Sequence, residues 1–136
     1  MKNIIAIALI LISIACGSKK DNIFDIEKYS VTKIDSLDNY YIIYAKQKGQ
    51  NYKIVSEKST SQCRNKILVG RSYNLKTESI FTIKIMVKDS IRKISNNVNI
   101  KCMTLEKTMI CKEYENGIYD VLKSENLKGL CYSNIK

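Results

Sequence analysis

Hydrophobic residues follow two patterns along this chain, one continuous run near the start and short alternating runs through the rest. Residues 4–15 are apolar except for Ser13 and start just after Lys2 and Asn3. At 12 residues the run is shorter than the roughly 17 to 25 needed to cross a bilayer core. A charged start, an apolar stretch of about 7 to 15 residues and a small residue at its end describe a secretory signal peptide. Past residue 22 the pattern changes. In residues 40–46 (Tyr-Tyr-Ile-Ile-Tyr-Ala-Lys) and 52–57 (Tyr-Lys-Ile-Val-Ser-Glu), β-branched and aromatic residues cluster on both sides of a loop, 47–51, that contains Gly49. This predicts a β-hairpin. In its second arm Tyr52, Ile54 and Ser56 share one face and Lys53, Val55 and Glu57 the other. The first arm is apolar on both faces, which predicts a central strand.

Residues 66–76 read as a third strand interrupted at Gly70, since an interior glycine marks a bulge or bend. Over 79–97 two periods compete. Ile83, Ile85 and Val87 alternate like a strand, while Ile80, Ile83, Val87, Ile91 and Ile94 are spaced like a helix face. The reading is a strand to Val87 followed by a short helical or irregular piece. Residues 98–102 predict a further strand, and 109–112 and 118–122 give weaker strand signals. The fold class is mainly β with minor α: a small single-domain barrel or strongly bent sheet. Short strands with a long third strand bent at a glycine resemble the oligonucleotide- and oligosaccharide-binding (OB) type. That likeness concerns fold and carries no ligand.

The apolar run ends in Ser13-Ile14-Ala15-Cys16-Gly17, and Ala15 and Gly17 flank Cys16 as in the cleavage and lipidation motif of bacterial lipoproteins. Ser13 stands where that motif usually carries Leu. The chain thus resembles a lipoprotein precursor, which implies a signal peptide over 1–15, a lipidated Cys16 with a flexible linker over 16–24, and one β-rich domain over 25–136. Residues 41–56 and 124–132 resemble small envelope lipoproteins of Gram-negative bacteria, a likeness that implies a class and no mechanism. Lys19-Lys20-Asp21 also resembles the short charged stretch that follows the lipidated cysteine in some surface-exported lipoproteins. The implied location is a lipid anchor in the cell envelope, at the outer membrane, with the periplasmic or surface side left open.

Five cysteines are odd, and assigning Cys16 to lipid leaves Cys63, Cys102, Cys111 and Cys131, an even set that suits two disulfides in an exported protein. Three pairings exist. The favoured one lets Cys102 and Cys111 clip a local hairpin while Cys63 and Cys131 tie the C-terminus to the main sheet. Four thiolates would also suit zinc, but no Cys-x-x-Cys pair occurs and an oxidising compartment favours disulfides. No metal or other cofactor is expected.

Charge is concentrated in the body. Residues 40–112 carry 15 Lys and Arg against Glu57, Glu78, Asp89 and Glu106, a net of +11, whereas the flanking segments nearly balance. A body this positive is drawn to anionic surfaces, less so as salt rises. Tyr40, Tyr41, Tyr44, Tyr52 and Tyr73 lie among Lys46, Lys48, Lys53 and Arg71, so these four cations are the candidate anion-binding residues, with tyrosines as stacking surfaces or as core. Export argues against nucleic acid as the partner.

Catalytic signals are weak. The chain has no His, which removes Ser-His and Cys-His pairs and the commonest general acid or base. Ser-x-x-Lys occurs at Ser30 to Lys33 and at Ser90 to Lys93, and once more at the very end of the chain, about as often as chance gives in a chain this rich in both residues. Glu113 with Glu115 reads as a solvated turn rather than an acid and base pair. No catalytic residue is assigned. The expectation is a non-enzymatic envelope lipoprotein, membrane-bound through its lipid, whose basic β-domain meets an anionic glycan or lipopolysaccharide. The alternative is a protein-binding module, an inhibitor or accessory subunit, with an acidic protein partner.

Overall fold

The computed structural model describes residues 25–95 and 99–135. The expected signal peptide, Cys16 and the expected linker to residue 24 lie outside them, as does Val98 at the start of one expected strand. The described strands are β1 (Asp25–Leu37), β2 (Tyr40–Gln47), β3 (Gln50–Glu57), β4 (Ser72–Ser79), β5 (Thr82–Val87), β6 (Ser90–Ser95), β7 (Cys102–Leu105), β8 (Thr108–Cys111), β9 (Ile118–Ser124), β10 (Leu127–Lys128) and β11 (Cys131–Tyr132). A single 3-10 turn (Tyr114–Asn116) precedes β9.

The main sheet has the order β1-β2-β3-β9-β4 and closes in a ring, β4 pairing back onto β1. Strands β4-β1-β2-β3 are antiparallel neighbours in Greek-key order, and β9 closes the ring parallel to β3 and antiparallel to β4. Five strands in Greek-key order are the features of an OB-type barrel. The expected hairpin is β2–β3, turned at Lys48 and Gly49 with φ of 49° and 81°. Two positive φ values in a two-residue connection match the twist of the flanking strands, and Gly49 supplies one of them without strain.

Alternation along the strands produces two apolar layers. Tyr29, Val31, Ile43, Ala45, Ile54, Leu75 and Leu122 fill the inside of the ring, and Ile67 and Leu127 add to that cluster from outside the five strands. On the outer side of β2, β3 and β9, Tyr40, Ile42, Val55 and Val121 form a second cluster with Phe81 and Ile110. The β7–β8 hairpin supplies Ile110, Met103 and Leu105 to this second layer. Strand β2 is therefore central and covered on both faces, as its sequence predicts. Among the described residues, every buried member of the two clusters lies between Tyr29 and Leu127. Cys63 pairs with Cys131 and Cys102 with Cys111, the arrangement favoured by spacing.

Four sequence expectations change. Strand β1, the longest, carries no strand signal because a bulge between Val31 and Lys33 breaks its alternation, moving the inward side chain from Val31 to Ile34. Residues 66–71 are not part of the third strand: Lys66 makes one bridge to Cys131, Ile67 plugs the core, and Gly70 (φ 82°) sits in a turn before β4 starts at Ser72. In the ambiguous stretch the expected strand up to Val87 is β5, but residues 90–95 follow it as β6 in a second hairpin and not as a helical piece. Its turn residues, Lys88 and Asp89, both have positive φ, which their sequence does not advertise. The strand expected over 98–102 begins instead at Cys102.

Candidate anion-binding surface

The outer side of the ring is divided. Over β2, β3 and β9 it is covered by the β7–β8 hairpin and the turn that follows. Over β1 and β4 it is bare and, apart from exposed Ile26, polar in the paired rows. In-register partners share a face, so Lys28 stands beside Asn74, and Lys46, Ser30 and Ser72 form one row across β2, β1 and β4. All five of these side chains are exposed, as is Arg71 just before Ser72. Ser30 and Ser72 hydroxyls lie 2.8 Å apart, and no acidic residue interrupts either row. Two strand spacings put the ends of the Lys46–Ser72 row about 10 Å apart, close enough for Lys28, Lys46 and Arg71 to act on one polyanionic ligand.

A groove of about 340 Å³ opens beside this surface, lined by Thr32, Lys33, Tyr44, Lys46, Asn51, Tyr52, Glu113 and Asn116 among others. Its floor is a closed polar network. Lys53 Nζ contacts Glu113 Oε1 at 2.5 Å and donates to Cys111 O at 2.8 Å. Tyr44 donates its hydroxyl to Glu113 Oε1 at 3.2 Å, Asn116 donates to Glu113 Oε2 at 2.9 Å, and Asn51 donates to Asn116 O at 3.0 Å. Burial raises the Glu113 carboxyl, but the bonds from Lys53, Asn116 and Tyr44 outweigh it and leave Glu113 below its ordinary 4.5. Burial first, and the Glu113 charge second, push the Tyr44 phenol up to about 12. Two ammonium groups, Lys33 at 5.2 Å and Lys53 at 5.8 Å, face the Tyr44 ring. With the floor self-neutralised, Lys33 and Lys46 set the sign of the rim, although Lys33 also pairs with Asp35 at 2.5 Å.

Of the four candidate cations, Lys46 ends the exposed polar row on β2 and Arg71 stands just before Ser72 at its other end. Lys48 sits at the β2–β3 turn, exposed, 3.1 Å from Glu27. Lys53 leaves the set: its side chain is 7 % exposed and committed to Glu113 and Cys111, which makes it an anchor for the covering segment. The structure adds Lys28, missed because the sequence gives no strand at β1. It also adds Glu113, which is not a solvated turn residue as expected but the acceptor at the centre of the network, while Glu115 is exposed. The tyrosines mostly pack: Tyr40 is buried in the outer cluster, Tyr29 meets Tyr52 edge-on inside the ring, and Tyr73 meets Tyr132.

Ser30 shares a hydrogen bond with Ser72 while Lys33 pairs with Asp35, and Ser90 donates to Val87 O. All four body cysteines are in disulfides, which leaves no thiolate among them for zinc. Comparison with protein-family models, with curated proteins and with solved structures gives no match.

Proposed function

We propose that this chain is a non-enzymatic envelope lipoprotein, anchored by lipid on Cys16, whose β-body binds an anionic envelope component through the bare face of β1 and β4. The reading is carried by one observation: Lys28, Lys46 and Arg71 are exposed around rows of Ser30, Ser72 and Asn74 in which no acid stands. Lys46 and, about two strand spacings away, Arg71 beside Ser72, with hydroxyl and amide groups between them, suit a phosphorylated or carboxylated glycan, including the phosphates of lipopolysaccharide. The adjoining groove has the lower size of a small-ligand site and would take one sugar or phosphate at the end of such a chain.

The test is salt-dependent binding of residues 23–136, disulfides formed, to purified lipopolysaccharide and to an anionic polysaccharide. Affinity is expected to fall steeply between low and physiological salt, and Lys46→Ala with Arg71→Ala to weaken it and flatten the salt dependence. Absence of binding at low salt would overturn the reading.

A further inference from the structure

The β5–β6 hairpin is the least accounted-for part of the body. Its strands pair only with each other, and none of its residues belongs to either buried core cluster. An isolated two-stranded hairpin is marginal in water, yet this one leaves large aliphatic side chains open. By register, Ile83, Ile85, Val87 and Ile94 share one face with Arg92, and Met86 and Ile91 share the other. All six apolar side chains are exposed, from 39 % at Val87 to 75 % at Met86. Scattered exposed aliphatics need no explanation, but a contiguous row on an unsupported element marks an interaction surface.

Charge narrows what covers it. Residues 82–95 carry Lys84, Lys88, Arg92 and Lys93 against Asp89, a net of +3. Lys84 is engaged with Glu78 at 3.1 Å, while Lys88 at the tip and Arg92 on the apolar face are exposed. A second copy of the chain would bring the same +3 against this one and +10 against +10 overall, which opposes pairing of the open strand edges. An aliphatic row with cations at its tip and in its midst suits the interface of an anionic bilayer, where the aliphatic chains enter the acyl boundary and Arg92 reaches back to the phosphates. The tether agrees, on the lipoprotein reading above: nine residues from Cys16 to Asp25 span at most about 30 Å, which keeps the body near the membrane surface.

We infer that the β5–β6 hairpin is a second membrane contact, laying its Ile83, Ile85, Val87 and Ile94 face into the interface of an anionic phospholipid bilayer. It would orient the body over the membrane that the lipid merely tethers it to.

The chain has no Trp, so a single introduced one reports its own surroundings. In residues 23–136, Ile85→Trp and Met86→Trp place the probe on opposite faces of β5. With vesicles of phosphatidylcholine and phosphatidylglycerol, the Ile85→Trp emission is expected to move to the blue and to become shielded from iodide, while Met86→Trp stays in water. Phosphatidylcholine alone should leave both unchanged. Ile85→Asp with Ile94→Asp, neither in the core, should keep the fold by circular dichroism and weaken vesicle binding about tenfold or more. Vesicle binding with both probes remaining in water would overturn the hairpin contact and leave the anionic-surface reading standing. A lack of binding to vesicles and to lipopolysaccharide alike would overturn both. A blue shift that appears without lipid as protein concentration rises would make the face a self-association surface and overturn the lipid assignment.

Discussion

The Lys53 ammonium, on β3, lies 2.5 Å from Glu113 Oε1 on the segment that covers the outer side of β2 and β3. One buried cation thereby fastens the cover to the sheet, helped by its bond to Cys111 O. It also gives the groove beside Tyr44 a floor whose charges are paired.

Removing Glu113 alone should cost more than removing Lys53 or removing both. Glu113→Gln leaves the Lys53 charge almost fully buried without its counter-charge. Breaking a buried pair this way costs about 3 to 5 kcal/mol, and the partial exposure of Glu113 brings the expected loss to about 2 to 3 kcal/mol. Lys53→Met should cost less, since Glu113 reaches water and Met fills the space of the lysine stem. The double variant should unfold close to Lys53→Met in urea. Equal urea midpoints for Glu113→Gln and the parent protein would show that the pair does not hold the cover.

Acid should act through the same carboxyl. Glu113 titrates below its ordinary 4.5 in the folded protein, so the stability it contributes is present above that value and disappears as pH falls through its folded-state pKa. Asp120, raised above 3.8 by burial, works in the opposite sense and loses its contribution as pH rises through its folded-state pKa. Urea midpoints followed from pH 7 to 3 should fall less steeply in Glu113→Gln than in the parent, and a parallel decline would remove Glu113 as the cause.

At high pH the reporter is Tyr44. Its phenol, pushed up to about 12, remains protonated after an unfolded tyrosine, ordinarily at 10, has ionised. Folding stability therefore declines between those values, and absorbance titration of the nine tyrosines should contain a late component that Tyr44→Phe removes. Burial is the larger cause, so Glu113→Gln should lower that component only in part.

The two disulfides should differ in weight. In the chain-entropy account, closing the 68-residue separation of Cys63 and Cys131 is worth about 4 kcal/mol and the 9-residue separation of Cys102 and Cys111 about 2.5 kcal/mol. Cys63→Ser with Cys131→Ser should lower the thermal midpoint more than Cys102→Ser with Cys111→Ser. The second pair should instead loosen the outer layer, seen as faster amide exchange at Ile110 and Tyr40.

How far the sequence speaks for this fold depends on where alternation survives. Strands β2 and β3 were legible because Ile43, Ala45 and Ile54 alternate with Ile42 and Val55 without interruption, and both layers are apolar. Strand β1 was not, because its bulge resets the phase after Val31. In β5–β6 the aliphatics at Ile83, Val87, Ile91 and Ile94 satisfy a helical period by accident, while nothing at Lys88 and Asp89 signals a turn. At the site, Lys46 and Arg71 could be picked out as cations near tyrosines. The burial of Lys53 could not, since its partner Glu113 meets it only through the long connection between β3 and β9. A single sequence shows charge, and only the pairing across the ring shows which charges are spent.

On the lipoprotein reading the anchor is separable from the body, and Cys16 lies outside the described residues, so its proposed role is tested in the cell. Cys16→Ser alone would leave the apolar run of residues 4–15 uncleaved and confuse the result, so residues 1–15 should be exchanged for an ordinary secretory signal peptide in the same variant. Loss of acyl chains removes about 0.8 kcal/mol for each buried methylene, far more than a half-buried aliphatic row restores. The variant is therefore expected in the soluble envelope fraction, with a weak residual membrane association that salt releases. Full retention in the membrane at high salt would show that the body holds itself there without lipid.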